Sequence, residues 1–171
     1  VTTLVVGGAA CVWDDVDAAM ALFAPTAVIA VNDIAIQWDG PLDIWATLHP
    51  EKLPLWDAER RRRGLPAPGA IWSHRAQAPL VSRHRPDLGG SSGMFAAYVA
   101  RDVFGGRVVL AGVPMDGAIP HLVRGETWRQ AGGYWPAWLA HAADLATFCR
   151  SLSGRTRDLL GPPTEAWLAS R

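Results

Sequence analysis

Residues 89–116 read GGSSGMFAAYVARDVFGGRVVLAGVPMD. A glycine–serine loop leads into an amphipathic segment, a second glycine pair closes it, and an apolar run follows that stops at a carboxylate, Asp116. Ser91 or Ser92 predicts the cap of a helix over SGMFAAYVARDVF, because a hydroxyl there accepts from an otherwise orphaned helix amide. Gly105-Gly106 predicts the end of that helix. RVVLAGV is continuously apolar, which suits a strand buried on both faces of a parallel sheet. A helix that hands the chain to such a strand is the repeating unit of an α/β fold.

The same alternation extends outward in both directions. TTLVVGG predicts a first strand, and VWDDVDAAMALF a helix with Val12, Val16, Ala19, Met20 and Phe23 at helical spacing and Asp14, Asp15 and Asp17 near its N-terminus, where the dipole favours them. AVIAVND (27–33) predicts a strand, DIWATLHPEK a third that stops at His49-Pro50, and 51–63 a polar helix with arginines crowded at its end. AIWSH (70–74) predicts a fourth strand, and 75–88 a loop. After RVVLAGV, residues 126–146 predict a helix broken at Gly132-Gly133 and Pro136; TFCRSLSG then predicts a last strand, followed by a capped helix from Ser153 and a short terminal helix. The expectation is a single α/β domain over 1–171: one doubly wound, mainly parallel sheet of about five to six strands with helices on both faces.

Composition narrows the function classes. Half of the 171 residues are apolar, 19% are charged, and the net charge is zero. That is globular composition, and it lacks the positive field that broad nucleic-acid or acidic-membrane binding needs. Arg60 to Arg63 read as a solvated helix end. Two cysteines are too few for a disulfide framework or a cysteine zinc site. The opening VTTLVVGGAACVWDD reads as a strand and not as a signal peptide, and no apolar run has bilayer length. The expectation is a cytoplasmic protein with neither nucleic-acid nor membrane partners.

Ligands of doubly wound sheets bind beyond the carboxyl ends of the strands, where strand order reverses. Those ends carry Gly7-Gly8, Asn32-Asp33, His49, the loop with Ser91, Ser92 and Gly93, Asp116 followed by His121, and Ser153-Gly154. Each has an ordinary alternative: a tight turn at Gly7-Gly8, an Asn-Asp turn, helix caps at the serines, a surface loop at His121. Read as a site, the glycines, hydroxyls and helix starts would seat a phosphate. Asn32 and Asp33 would meet a ribose or base edge. His121, oriented by Asp116, would be general base, with His49 as the rival. The dinucleotide pattern G-x-G-x-x-G is missing, which leaves an oxidoreductase third.

Gly7-Gly8, the strand ending in Asn32-Asp33, and SSGMFAAYVARDVFGGRVVLAGVPMD with its closing Gly112-Val113-Pro114-Met115-Asp116 resemble the Rossmann-like core of two related groups: the bacterial sialyltransferases that use a cytidine-monophosphate sugar, and the 6-hydroxymethylpterin diphosphokinase-like proteins. The resemblance covers residues 3–33 and 89–116. It implies a nucleotide against Gly7, Gly8, Asn32, Ser91, Ser92 and Gly93. In a sialyltransferase-like reaction His121 would be the base toward an acceptor hydroxyl. In a diphosphokinase-like one Asp33 or Asp116 would help hold Mg²⁺ beside the nucleotide. The expected function is therefore a nucleotide- or nucleotide-sugar-dependent group transferase acting on a small hydroxyl acceptor, with a homo-oligomer compatible. The alternative is a non-catalytic binding or structural module of phage or prophage type on the same fold.

Overall fold

The computed structural model describes residues 1–170. Seven strands form one all-parallel sheet: β1 (Thr2–Val6), β2 (Ala27–Val31), β3 (Ile44–Thr47), β4 (Ala70–Ser73), β5 (Arg83–His84), β6 (Arg107–Ala111) and β7 (Cys149–Ser151), in the order β5-β4-β3-β2-β1-β6-β7. The chain winds outward from β1 to β5 and returns through α3 (Ser92–Phe104) to β6, on the other side of β1. Strand order therefore reverses between β1 and β6, where Val5 lies beside Leu110. This is a Rossmann-like doubly wound fold.

Alternation along each strand divides the core. Val5, Ile29, Ile44 and Leu110 face a layer made by α3, α4 (Ala131–Ala140), α5 (Ala142–Phe148) and α6 (Gly154–Leu160). Leu4, Val6, Ala30, Trp45 and Val109 face α1 (Val12–Leu22) and α2 (Leu53–Arg62), with α7 (Glu165–Ala169) at the edge. A strand buried on both faces has no polar side, which explains its unbroken apolar run. Helix α3 is buried from Ser92 through Ala100, because it crosses the middle of the sheet over β1, β2, β3 and β6.

Several elements depart from expectation. The sheet has seven strands, not five or six. The extra one is β5, inside the stretch expected to be a loop; its two residues, Arg83 and His84, are exposed and polar. The third strand ends at Thr47, and Pro50–Lys52 forms a 3-10 turn before α2. In the late helical region Gly132, Gly133 and Pro136 lie within α4, and the break falls at His141, whose backbone leaves the helical region. The last strand and the helix after it form as expected, at β7 and α6.

The arginine run is not wholly solvated either. Arg61, Arg62 and Arg63 pair with Asp57 and Glu59 along α2, but Arg60 is 1% exposed. Its guanidinium donates to the carbonyls of Pro66, at 2.8 Å, Trp38, at 2.9 Å, and Ala35, tying α2 to the turn after β2. Burial pulls its pKa down, and Asp57 partly offsets this. Arg60→Met should cost about 3 kcal/mol, because it leaves buried carbonyls without donors. Urea unfolding should move its midpoint down at unchanged slope; a midpoint within error of wild type would disprove the clamp.

Candidate functional site

The carboxyl ends of β2, β3 and the start of α3 are stitched together by side chains. Asn32 takes the left-handed region at φ 56°, which asparagine tolerates better than most residues. Its carbonyl accepts from Trp45 Nε1 at 2.7 Å and its Oδ1 from Thr47 Oγ1 at 2.7 Å. Thr47 Oγ1 in turn accepts the His49 amide at 2.8 Å, and Ser92 Oγ accepts the Leu48 amide at 3.3 Å. Ser91 caps α3, its Oγ accepting from the Met94 amide at 3.5 Å. Asn32, His49 and the two serines thus share one edge. The Ser91 and Ser92 oxygens each already accept a backbone amide, whereas the Asn32 side-chain amide nitrogen has no protein partner among the described residues.

His49 is half-exposed at the outer end of this edge, with Nδ1 3.5 Å from Glu51 Oε1. Burial, reinforced by Lys52, holds its pKa below the ordinary imidazole value despite the pull of Glu51. That shift favours the neutral ring, and its Nε2 has no protein partner among the described residues. Beside it, beyond the ends of β3 and β4, opens a shallow concavity of about 600 Å³ lined by Pro50, Glu51, Arg75 and residues 76–79. A second concavity, about 650 Å³, lies at the opposite end of the sheet, where Ile44 and Ala70 begin their strands; no histidine or cysteine lines it.

His121 is arranged differently. Its Nε2 lies 3.2 Å from Asp33 Oδ1, and Arg124 Nη2 lies 3.6 Å from Asp33 Oδ2. Burial pushes the Asp33 carboxyl up, but the His121 ring and the Arg124 charge outweigh it, so the acid titrates below its ordinary value. His121 Nδ1 accepts the amides of Val123 and Arg124 at 3.3 and 3.4 Å. Nδ1 is thus taken by two backbone amides and Nε2 faces a carboxylate, which leaves neither nitrogen open toward a substrate. The orienting acid is Asp33, not Asp116, whose Oδ1 accepts the Ala118 amide at 2.9 Å in a tight turn.

The glycines and Ser153 belong to a packing knot around the turn that leaves β6. A Cβ on Gly7 would stand 2.4 Å from the Gly112 carbonyl oxygen. One on Gly93 would stand 2.5 Å from Val113, and Gly154, at φ +62°, is closed off by Pro114. At the centre lies Asp15, which its place near the start of α1 sets beside Asp14 and Asp17 toward the helix dipole. It is 7% exposed; its Oδ2 accepts the Gly112 amide at 2.8 Å and the Ser153 hydroxyl at 2.6 Å. Cys11 Sγ lies 3.4 Å from Ser153 Oγ, and burial raises the pKa of this thiol.

Magnesium fits this rim poorly. One oxygen of Asp33 faces the His121 ring and the other the Arg124 guanidinium, and no three His, Cys, Asp or Glu side chains gather as metal ligands among the described residues. No described helix is long and apolar enough to cross a membrane. Fold and rim together define a Rossmann-like domain with a polar edge at its strand ends. Comparison with family models, curated proteins and solved structures finds no match to this chain.

Proposed function

We propose that the chain is a nucleotide- or nucleotide-sugar-dependent group transferase whose base is His49. The observation that carries this reading is His49 itself: its Nε2 has no protein partner among the described residues, it follows Leu48, whose amide meets Ser92 at the α3 start, and it precedes Pro50 and Glu51, which line a concavity large enough for a small acceptor. The donor phosphate would lie against the α3 amides, where a helix start favours an anion, with the Asn32 amide nitrogen on the nucleoside. An acceptor hydroxyl in the concavity would give its proton to His49 Nε2 as its oxygen attacks the transferred group, and the nucleotide would leave with the electron pair of the broken bond. No metal is needed for these roles, and none is assigned.

A panel of cytidine and adenine nucleotides and cytidine-monophosphate sugars, with and without Mg²⁺, tests the reading. At about one hundred times Kd a ligand adds roughly 2.7 kcal/mol, which for a domain of this length is about 5–10 °C in Tm. Asn32→Gly, which keeps the backbone conformation available, should lose that shift. His49→Ala should keep it and lose about a hundredfold or more in nucleotide release, while His121→Ala should turn over at a comparable rate to wild type. A flat panel would favour a non-catalytic binding or structural module instead. That second reading draws on the serine oxygens, which already serve the fold: Ser91 and Ser92 each accept a backbone amide and Ser153 donates to Asp15.

A further inference from the structure

Between β6 and α4 the chain leaves the body of the protein at Met115, 0% exposed, and returns at Ala131, 1% exposed. None of the 15 residues between them is buried. The segment contains no helix and only isolated antiparallel bridges, one of them pairing Ala9 with His121. Met115 turns the chain through the left-handed region at φ 51°, so one end of the segment pivots at a sharp, fixed corner.

What holds the segment down is short. The Ala10 amide donates to Pro120 O and the Leu122 amide to Gly8 O, each at 2.8 Å. Leu122 and Trp128 are its partly buried apolar contacts with the core. Trp128 also stacks on Tyr134 of α4 near the returning end, with ring centroids 5.7 Å apart, and Asp33 faces His121 and Arg124 from the end of β2. The His121 ring lies over the β1–α1 turn so closely that a Cβ on Gly8 would stand 2.8 Å from Nε2. Segments with few buried contacts open locally at much lower free energy than the sheet they cover.

We propose that residues 116–130 are a hinged lid over the β1–α1 turn and that Asp33 is its latch. Opening would free the Gly8 carbonyl, the Ala10 amide and the Asp33 carboxylate together, at the point where strand order reverses and doubly wound sheets receive ligands. This inference stands whether or not the rim binds a nucleotide.

Residue-resolved hydrogen exchange on the full chain, without ligand, tests it. The Ala10 and Leu122 amides should exchange together and at least about a hundredfold faster than those of Val5 and Leu110 in the sheet. Asp33→Asn should speed both by about fivefold, the scale of an ion pair at a partly exposed rim, and leave the sheet amides unchanged. Gly8→Ala should do the same from the other side by pushing the imidazole aside, since Gly8 does not use the left-handed region; it decides the matter if Asp33→Asn fails to fold. Exchange of Ala10 and Leu122 as slow as that of the sheet, or unchanged in these variants, would overturn the lid.

Discussion

Gly7→Ala should lower stability by about 3 kcal/mol or more, or roughly 6–12 °C in Tm for a domain of this length. The added methyl would meet the Gly112 carbonyl oxygen at 2.4 Å and Val113 Cγ2 at 2.6 Å. The oxygen is backbone at the end of β6, where the Ala9 amide already donates to it at 3.2 Å, so it cannot retreat without disturbing the β1–β6 junction. Gly8→Ala is the control: its nearest neighbour is the tip of an imidazole, which can rotate, and the cost should stay below about 1 kcal/mol. The contrast separates two meanings of a glycine pair after a strand. If Gly7 were small to admit a phosphate, alanine would weaken ligand binding and leave the unliganded protein nearly as stable as before. Calorimetry of the two variants decides between them; a Gly7→Ala protein melting within a degree of wild type would mean the close approach is not real.

The same contrast explains which features the sequence made legible. Helix α3 and strand β6 were readable to within a residue or two because every local cue agrees: a serine cap, small and apolar residues, a glycine pair, then β-branched residues. β5 was not, since Arg83 and His84 carry no apolar signal and pair only because β4 leaves an edge beside them. The rim residues were legible as a set, because any parallel sheet gathers its strand ends on one edge. Their partners were not. His121 meets Asp33 across 87 intervening positions, and no local spacing announces that. The roles of His49 and His121 turned on which ring nitrogen the fold leaves open, a property of geometry alone. Arg60 looked like its three neighbours until helical phase placed it inward.

Asp15 is the missed residue whose removal should matter most. A signal was available: Val12, Val16 and Ala19 mark the buried stripe of α1, and Asp15 lies on it while Asp14 and Asp17 do not. An acid on a buried stripe must be satisfied by something, and here it gathers the Gly112 amide and the Ser153 hydroxyl. Asp15→Ala should therefore cost about 3–4 kcal/mol, because it strands a buried amide in the turn after β6 and releases the β7–α6 loop. Asp15→Asn keeps one carbonyl oxygen for the Gly112 amide and should cost about half as much. The two hydrogen bonds share one oxygen, so Asp15→Ala and Ser153→Ala should be non-additive, with a coupling of about 1–2 kcal/mol in a double-mutant cycle measured by urea unfolding. Additive losses, or an alanine variant within about 1 kcal/mol of wild type, would mean that apolar packing of Val12, Val113 and Pro114 holds the junction of α1, β6 and α6 without the acid. The knot would then be free to open beneath the lid.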